Sequence, residues 1–107
     1  MLDAVTQEAS LQELAWKIEG AMTHETIVTL LQEGKKRIDQ ASRGLAIDLS
    51  RAGTCDSSGV ALCIELLRYA RAQDKHVLFC NPPHRMLDMI RVSGVDSILP
   101  FKNFQEM

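Results

Sequence analysis

The residues of this chain best suited to chemistry stand together in Gly53-Thr54-Cys55-Asp56-Ser57-Ser58-Gly59, where a thiol, a carboxylate and three hydroxyls share one short stretch. On one side lies the apolar run Leu45 to Leu49, too short for anything but a buried strand; on the other, Val60 to Ala70 is long enough for a helix. The stretch therefore reads as a small polar turn at a helix N-terminus. There, Asp56 or Ser57 can accept hydrogen bonds from the unpaired N–H groups of the first turn, and the positive end of the helix dipole would favour a phosphate carried on Ser57.

Other chemistries find less support. Asp56-Ser57-Ser58-Gly59 is neither a G-x-S-x-G elbow nor a phosphate-cradling P-loop, because no lysine follows the glycine and no second glycine stands at the required distance. His24, His76 and His84 are scattered without ligand spacing, and Asp48 with Asp56 is weak ground for a divalent ion. Cys55, Cys63 and Cys80 are odd in number, form no C-x-x-C pair and sit in apolar runs, which speaks for core thiols; Cys55, beside a helix N-terminus, could instead have a lowered pKa. No nucleophile with its base, no metal cluster and no cofactor cradle assembles, so the chain reads as a non-enzyme without metal or cofactor.

The elements that must hold this turn fit one domain. A chain of 107 residues has room for a single core. Its net charge of −2 leaves no general basic field and argues against nucleic acid. The short run Lys35-Lys36-Arg37 reads as a helix C-terminal cluster answering the dipole rather than a contact patch. No apolar run approaches the ~20 residues that cross a bilayer and no signal-peptide pattern opens the chain, so a soluble, cytoplasmic protein without direct membrane insertion is expected.

In order along the chain, Leu2 to Glu8 shows weak alternation. In Leu14 to Glu19, by contrast, Leu14, Trp16 and Ile18 share one face, as in a strand or hairpin at a sheet edge. Gly20 breaks it, and Thr23 is placed to cap a helix over Glu25 to Gln40, with Ile27, Leu30, Leu31 and Ile38 as its apolar stripe. Gly34 inside that helix marks either close packing or an early end. A strand over Leu45 to Leu49 precedes the turn, and the long helix runs from about Ser57 to Gln73. Its polar stripe is narrow, made of Ser57, Ala61, Glu65 and Arg68; the rest is apolar, either deeply buried or kept for a partner. His76 to Cys80 gives a second buried strand, reached by a right-handed crossover. Asn81-Pro82-Pro83 opens a short helix carrying Met86, Leu87, Met89 and Ile90, which stops at Ser93-Gly94 before Val95 and the apolar pair Ile98-Leu99. The methionines read as gap-filling core residues, or as a mobile binding face. The fold class is α/β, with a mixed, mostly parallel sheet and helices packed against it.

Strand, D-S-S-G turn, long apolar helix, strand, N-P-P, short helix and Ser93-Gly94-Val95-Asp96 together resemble the STAS domain, the fold of sulfate transporters and anti-sigma factor antagonists. The likeness is sharpest from Ile47 to Pro100. Within it, Ile47-Asp48-Leu49-Ser50-Arg51, Ala61 to Ala72 and Phe79-Cys80-Asn81-Pro82-Pro83 look more like MlaB, the STAS subunit of Mla-type phospholipid ABC transport systems, whereas Ser58 is commoner in the antagonist pattern. The MlaB-like resemblance implies a non-catalytic subunit that binds and regulates the cytoplasmic ATPase of an ABC transporter maintaining outer-membrane lipid asymmetry, held at the cytoplasmic face of the inner membrane by that partner. Asp56, Ser57, Ser58, Gly59, Ala61, Glu65 and Arg68 would then form the contact. The antagonist resemblance implies instead a partner anti-sigma kinase and phosphorylation of Ser57. A weak homodimer through the apolar helix stays open in either case.

Overall fold

The structure is a computed structural model and describes residues 15–95 and 98–102. The expectations for Leu2 to Glu8, Leu14 and Asp96 lie outside the described residues. In chain order the elements are β1 (Trp16–Lys17), β2 (Gly20–Met22), α1 (Ile27–Gln40), β3 (Gly44–Asp48), β4 (Ala52–Cys55), α2 (Ser57–Arg71), β5 (His76–Cys80), α3 (His84–Ser93) and β6 (Phe101–Lys102). One sheet has the order β1-β3-β5-β6 and a second pairs β2 with β4; every pairing among the described residues is parallel.

The centre of the large sheet is apolar because it is covered on both faces. Gly44, Leu45, Ala46 and Ile47 are buried in succession along β3, and β5 buries Val77, Phe79 and Cys80 beside them in the register Leu45↔Val77 and Ile47↔Phe79. Trp16 and Ile18 point inward and Lys17 and Glu19 outward, as their alternation predicts, and β1 forms an edge of the sheet.

The two sheets are one ladder with a jog. Ile18 N–H donates to Asp48 O at 3.1 Å, and the pairing resumes when Gly20 N–H donates to Arg51 O at 3.3 Å. Gly20 sits at φ +92°, a left-handed backbone that suits glycine, and it redirects the chain into β2 rather than ending the strand. This corrects the reading of Gly53 to Gly59 as turn alone: Ala52 to Cys55 is strand β4, with Met22 opposite Cys55.

α1 also starts later than its sequence suggests. Thr23 is not its cap; the Thr23 carbonyl accepts the N–H groups of Thr26 and Ile27, both at 2.9 Å, closing a turn ahead of the helix and leaving Glu25 outside it. The Thr26 hydroxyl donates back to Ala21 O at 2.9 Å, so it is spent on the turn. Gly34 is buried within α1, and a Cβ there would lie 2.6 Å from Leu66 Cδ2 and 3.0 Å from the Trp16 ring. Close packing of α1 on α2, not an early end, explains the glycine. The basic run is held by its neighbours: Lys35 Nζ lies 5.2 Å from the Tyr69 ring centroid and the Arg37 guanidinium 5.4 Å from that of Trp16.

α2 is the central helix. It buries Gly59, Val60, Leu62, Cys63, Leu66, Leu67 and Ala70, so most of its apolar circumference belongs to the core. It ends at Arg71, two residues earlier than expected, because Lys75 N–H reaches back to Ala70 O at 2.9 Å and Asp74 turns at φ 56°. Lys75 Nζ then donates to Ile38 O at 2.8 Å and closes the C-terminus of α1. α3 follows Pro83 and ends on Gly94 at φ 74°, with Val95 N–H donating to Ile90 O at 3.2 Å, the left-handed helix stop that glycine permits. Met86 and Ile90 anchor it in the core.

Candidate partner-docking site

The polar cluster sits where β4 becomes α2, and Asp56, not Ser57, is the cap. Its backbone is extended, and Oδ1 accepts the N–H of Ser58 at 2.8 Å, satisfying one of the donors the first turn leaves open. Oδ2 faces the turn before α1: it accepts His24 N–H at 3.4 Å and lies 3.5 Å from His24 Nδ1. Burial alone would raise the Asp56 pKa, but the hydrogen bonds from Ser58 and His24 outweigh it and hold the carboxyl below its ordinary value.

With Asp56 as cap, Ser57 becomes the first helical residue, exposed and, among the described residues, without a hydrogen bond from its hydroxyl. Ser58 is half-buried. Gly59 is buried: a Cβ on it would stand 2.6 Å from Cys55 Sγ and 3.0 Å from Met22 O. Its place is to let the first turn of α2 lie against β2 and β4, and so to fix where Ser57 emerges.

Ser57, Ala61, Glu65 and Arg68 form one exposed row along α2. Arg68 and Glu65 pair at 3.3 Å, both largely in solvent, so the pair adds little stability and leaves both charges available. The thiols lie on the other side. Desolvation, with the Asp56 charge adding to it, pushes the Cys55 thiol up, and desolvation raises Cys63 far more strongly. The shift of Cys55 runs opposite to the lowered pKa its place beside a helix N-terminus suggested; all three cysteines are buried and none is in a disulfide. Among the described residues no group of three metal-ligating side chains comes together.

Two features escaped the sequence. His24 joins the site only through the tertiary contact between the turn before α1 and the start of α2. Beside Ser57, an open groove of about 430 Å³ separates α2 from α3, lined by Val60, Ala61 and Ile64 on one wall and by Met89, Val92 and Val95 on the other. Ser57 and Asp88 also border it.

A family model described as "Mlab, STAS domain" matches residues 5–100. The chain belongs to the MlaB-type STAS domain family. Solved structures agree on the fold. The anti-sigma factor antagonist SpoIIAA in its unphosphorylated form superposes with a TM-score of 0.67 at 20% identity, covering 86% of this chain and 81% of that one. A putative anti-sigma factor antagonist from Thermotoga maritima gives 0.72 at 10% identity, over 88% of this chain and 84% of its own. The STAS domain of a SulP transporter from Vibrio cholerae gives 0.61 at 12% identity, over 94% and 88%. No curated protein matches the sequence significantly. The STAS domain therefore occurs in transporter and sigma-regulating settings alike, and members are generally regulatory interaction domains.

Proposed function

We propose that this STAS domain is the non-catalytic subunit that binds and regulates the cytoplasmic ATPase of an Mla-type phospholipid ABC transporter, serving outer-membrane lipid asymmetry. The observation that carries the reading is the exposed row Ser57, Ala61, Glu65 and Arg68 on a helix that buries Gly59, Val60, Leu62, Cys63, Leu66, Leu67 and Ala70. Membership of the MlaB-type family supports the choice of partner. Among the described residues no helix is long and apolar enough to cross a membrane, so attachment to the inner membrane would come through the ATPase. Small residues at Ser57 and Ala61 let a partner surface approach closely, while Glu65 and Arg68 orient it. Pull-down of an ABC ATPase from cell extract tests this: capture by the wild type should be lost on Ser57→Glu or Ala61→Trp, and retained capture by both variants would show the wrong face was chosen.

A second reading has its own observation. Ser57 is exposed at the first position of α2, in a turn that holds no acidic residue after the cap. A phosphate there would meet the positive end of the helix dipole, and would repel an acidic partner surface. Under this reading the chain is an anti-sigma factor antagonist switched by a kinase. Intact mass after incubation with the anti-sigma kinase, with Ser57→Ala as control, distinguishes it.

A further inference from the structure

His24 is tied directly to the start of α2. It lies in the turn that leads into α1, and its N–H donates at 3.4 Å to Oδ2 of Asp56, the cap of α2. Its imidazole reaches the same oxygen, with Nδ1 3.5 Å away, while Nε2 lies 4.0 Å from Glu25 Oε1. The ring is therefore held between two carboxylates, one from its own turn and one from the junction of β4 with α2. Behind Asp56 stands Cys55, a buried thiol whose raised pKa keeps it neutral at pH 7. Among the described residues no other charged group lies within ion-pair distance of His24. His76 and His84 are exposed as well, yet among the described residues neither has a carboxylate within that distance.

This arrangement gains weight once a partner covers it. The His24 and Asp56 side chains are 74% and 41% exposed, so in the free domain water screens the pair and it is worth little. Docking on Ser57 withdraws that water from Asp56, the residue immediately before it. A carboxylate that loses water weakens binding unless a cation stays beside it. Histidine is the side chain whose charge ordinarily changes between about pH 5 and 8. We propose that His24 makes docking at Ser57 depend on pH: as imidazolium it offsets the charge of Asp56 under the partner, and as neutral imidazole it leaves that charge to backbone N–H groups alone. This regulation rests on the ATPase-binding reading above and acts on the same face. Its sign is fixed. Asp56 stays ionised between pH 6 and 8, its carboxyl being held below the ordinary value, so docking tightens as pH falls through that range. A negative charge on Ser57 acts in the opposite sense.

The test measures the affinity of the purified chain for the purified ATPase at pH 6 and pH 8 in the same salt. The wild type should bind roughly threefold or more tightly at pH 6. His24→Gln keeps the backbone N–H and a neutral side chain, so it should bind like the wild type at pH 8 and retain only the pH dependence that the ATPase itself brings. His24→Lys carries its charge at both pH values and should regain at pH 8 the tighter binding. His84→Gln, at an unpaired histidine, should keep the wild-type pH dependence. A merely structural role for His24 would lower affinity equally at both pH values in His24→Gln and leave the pH dependence in place, which overturns the switch. Thermal melts of each variant at both pH values keep a change in folding apart from a change in docking. The same pH profile in wild type and His24→Gln likewise overturns the switch while the ATPase stays the partner. Absence of wild-type binding at both pH values removes the ATPase, and the switch falls with it.

Discussion

Replacing Gly59 by alanine tests how α2 is seated. Gly59 is the third residue of α2, and a methyl group on it would lie 2.6 Å from Cys55 Sγ, 3.0 Å from Met22 O and 3.3 Å from Met22 Cβ. Two effects oppose each other. Alanine in place of glycine inside a helix gains up to about 1 kcal/mol, and less in a first turn. Overpacking a well-filled interior costs about 1–3 kcal/mol. The sulfur could swing on one bond but is itself buried, and the Met22 carbonyl is backbone, fixed by accepting Asp56 N–H at 3.3 Å. Neither contact can yield cheaply, so the clash wins with a net loss of about 1–2 kcal/mol. In urea denaturation the midpoint should fall with the slope unchanged, and the melting temperature should drop by roughly 4–8 °C per kcal/mol. Cys55→Ala added to Gly59→Ala vacates the nearest atom, and the pair should couple favourably by about 0.5 kcal/mol or more. Gly34→Ala is the contrasting case. Its closest neighbours are the flexible ends of Leu66 and the Trp16 ring edge, so it should cost less than Gly59→Ala. A Gly59→Ala protein as stable as the wild type would refute the close seating of α2 on β2 and β4, and with it the placement of Ser57.

Acid should destabilise the start of α2. The folded-state pKa of Asp56 lies below its ordinary value, so its contribution is present above that value and is lost as pH falls through the folded pKa; Asp56→Asn should remove this part of the acid slope in pH-dependent unfolding curves. Asp39 behaves alike at the other end of the helix pair: the Tyr69 hydroxyl, donating to Oδ1 at 2.7 Å, and then Gln73 lower its pKa, so Tyr69→Phe should flatten the acid slope further and independently. Raised pKa values and burial should keep Cys55 and Cys63 unreactive toward a thiol reagent at neutral pH until the chain unfolds, and rapid labelling of the native protein would contradict their placement.

The polar turn at Asp56 and Ser57 was legible in sequence because it interrupts two apolar runs of different length, and the strand and helix that hold it followed from those lengths. β4 was not legible. Ala52-Gly53-Thr54-Cys55 has neither alternation nor β-branched density, and it is extended because β2 offers it a partner after the jog at Gly20. The start of α1 was misplaced for a local reason: Thr23 suits a cap by residue type, but its carbonyl closes a turn with the N–H groups of Thr26 and Ile27, and the helix begins after that turn. Within the site, the row Ser57 to Arg68 could be read from helical spacing alone. His24 and the groove could not. Met89 carries the same apolar signal as its buried neighbours Met86 and Ile90, and Val92 differs from them only in what the tertiary structure leaves uncovered.

The division of labour on α2 limits how a partner can gain affinity. Glu65 and Arg68 pair with each other in solvent, so a partner that engages them trades one exposed ion pair for another and gains orientation more than binding energy. Ser57 and Ala61 are small and offer little area of their own. On the proposed docking face, affinity would then come from apolar surface next to the row, such as the groove shared with α3. Because Ser57 borders the groove, a charge placed on its hydroxyl would act at the edge of the apolar contact rather than at its polar end. There it must be desolvated along with Asp88, the carboxylate that already borders the groove. Charge at Ser57 should therefore weaken docking far more than Arg68→Glu, where solvent remains.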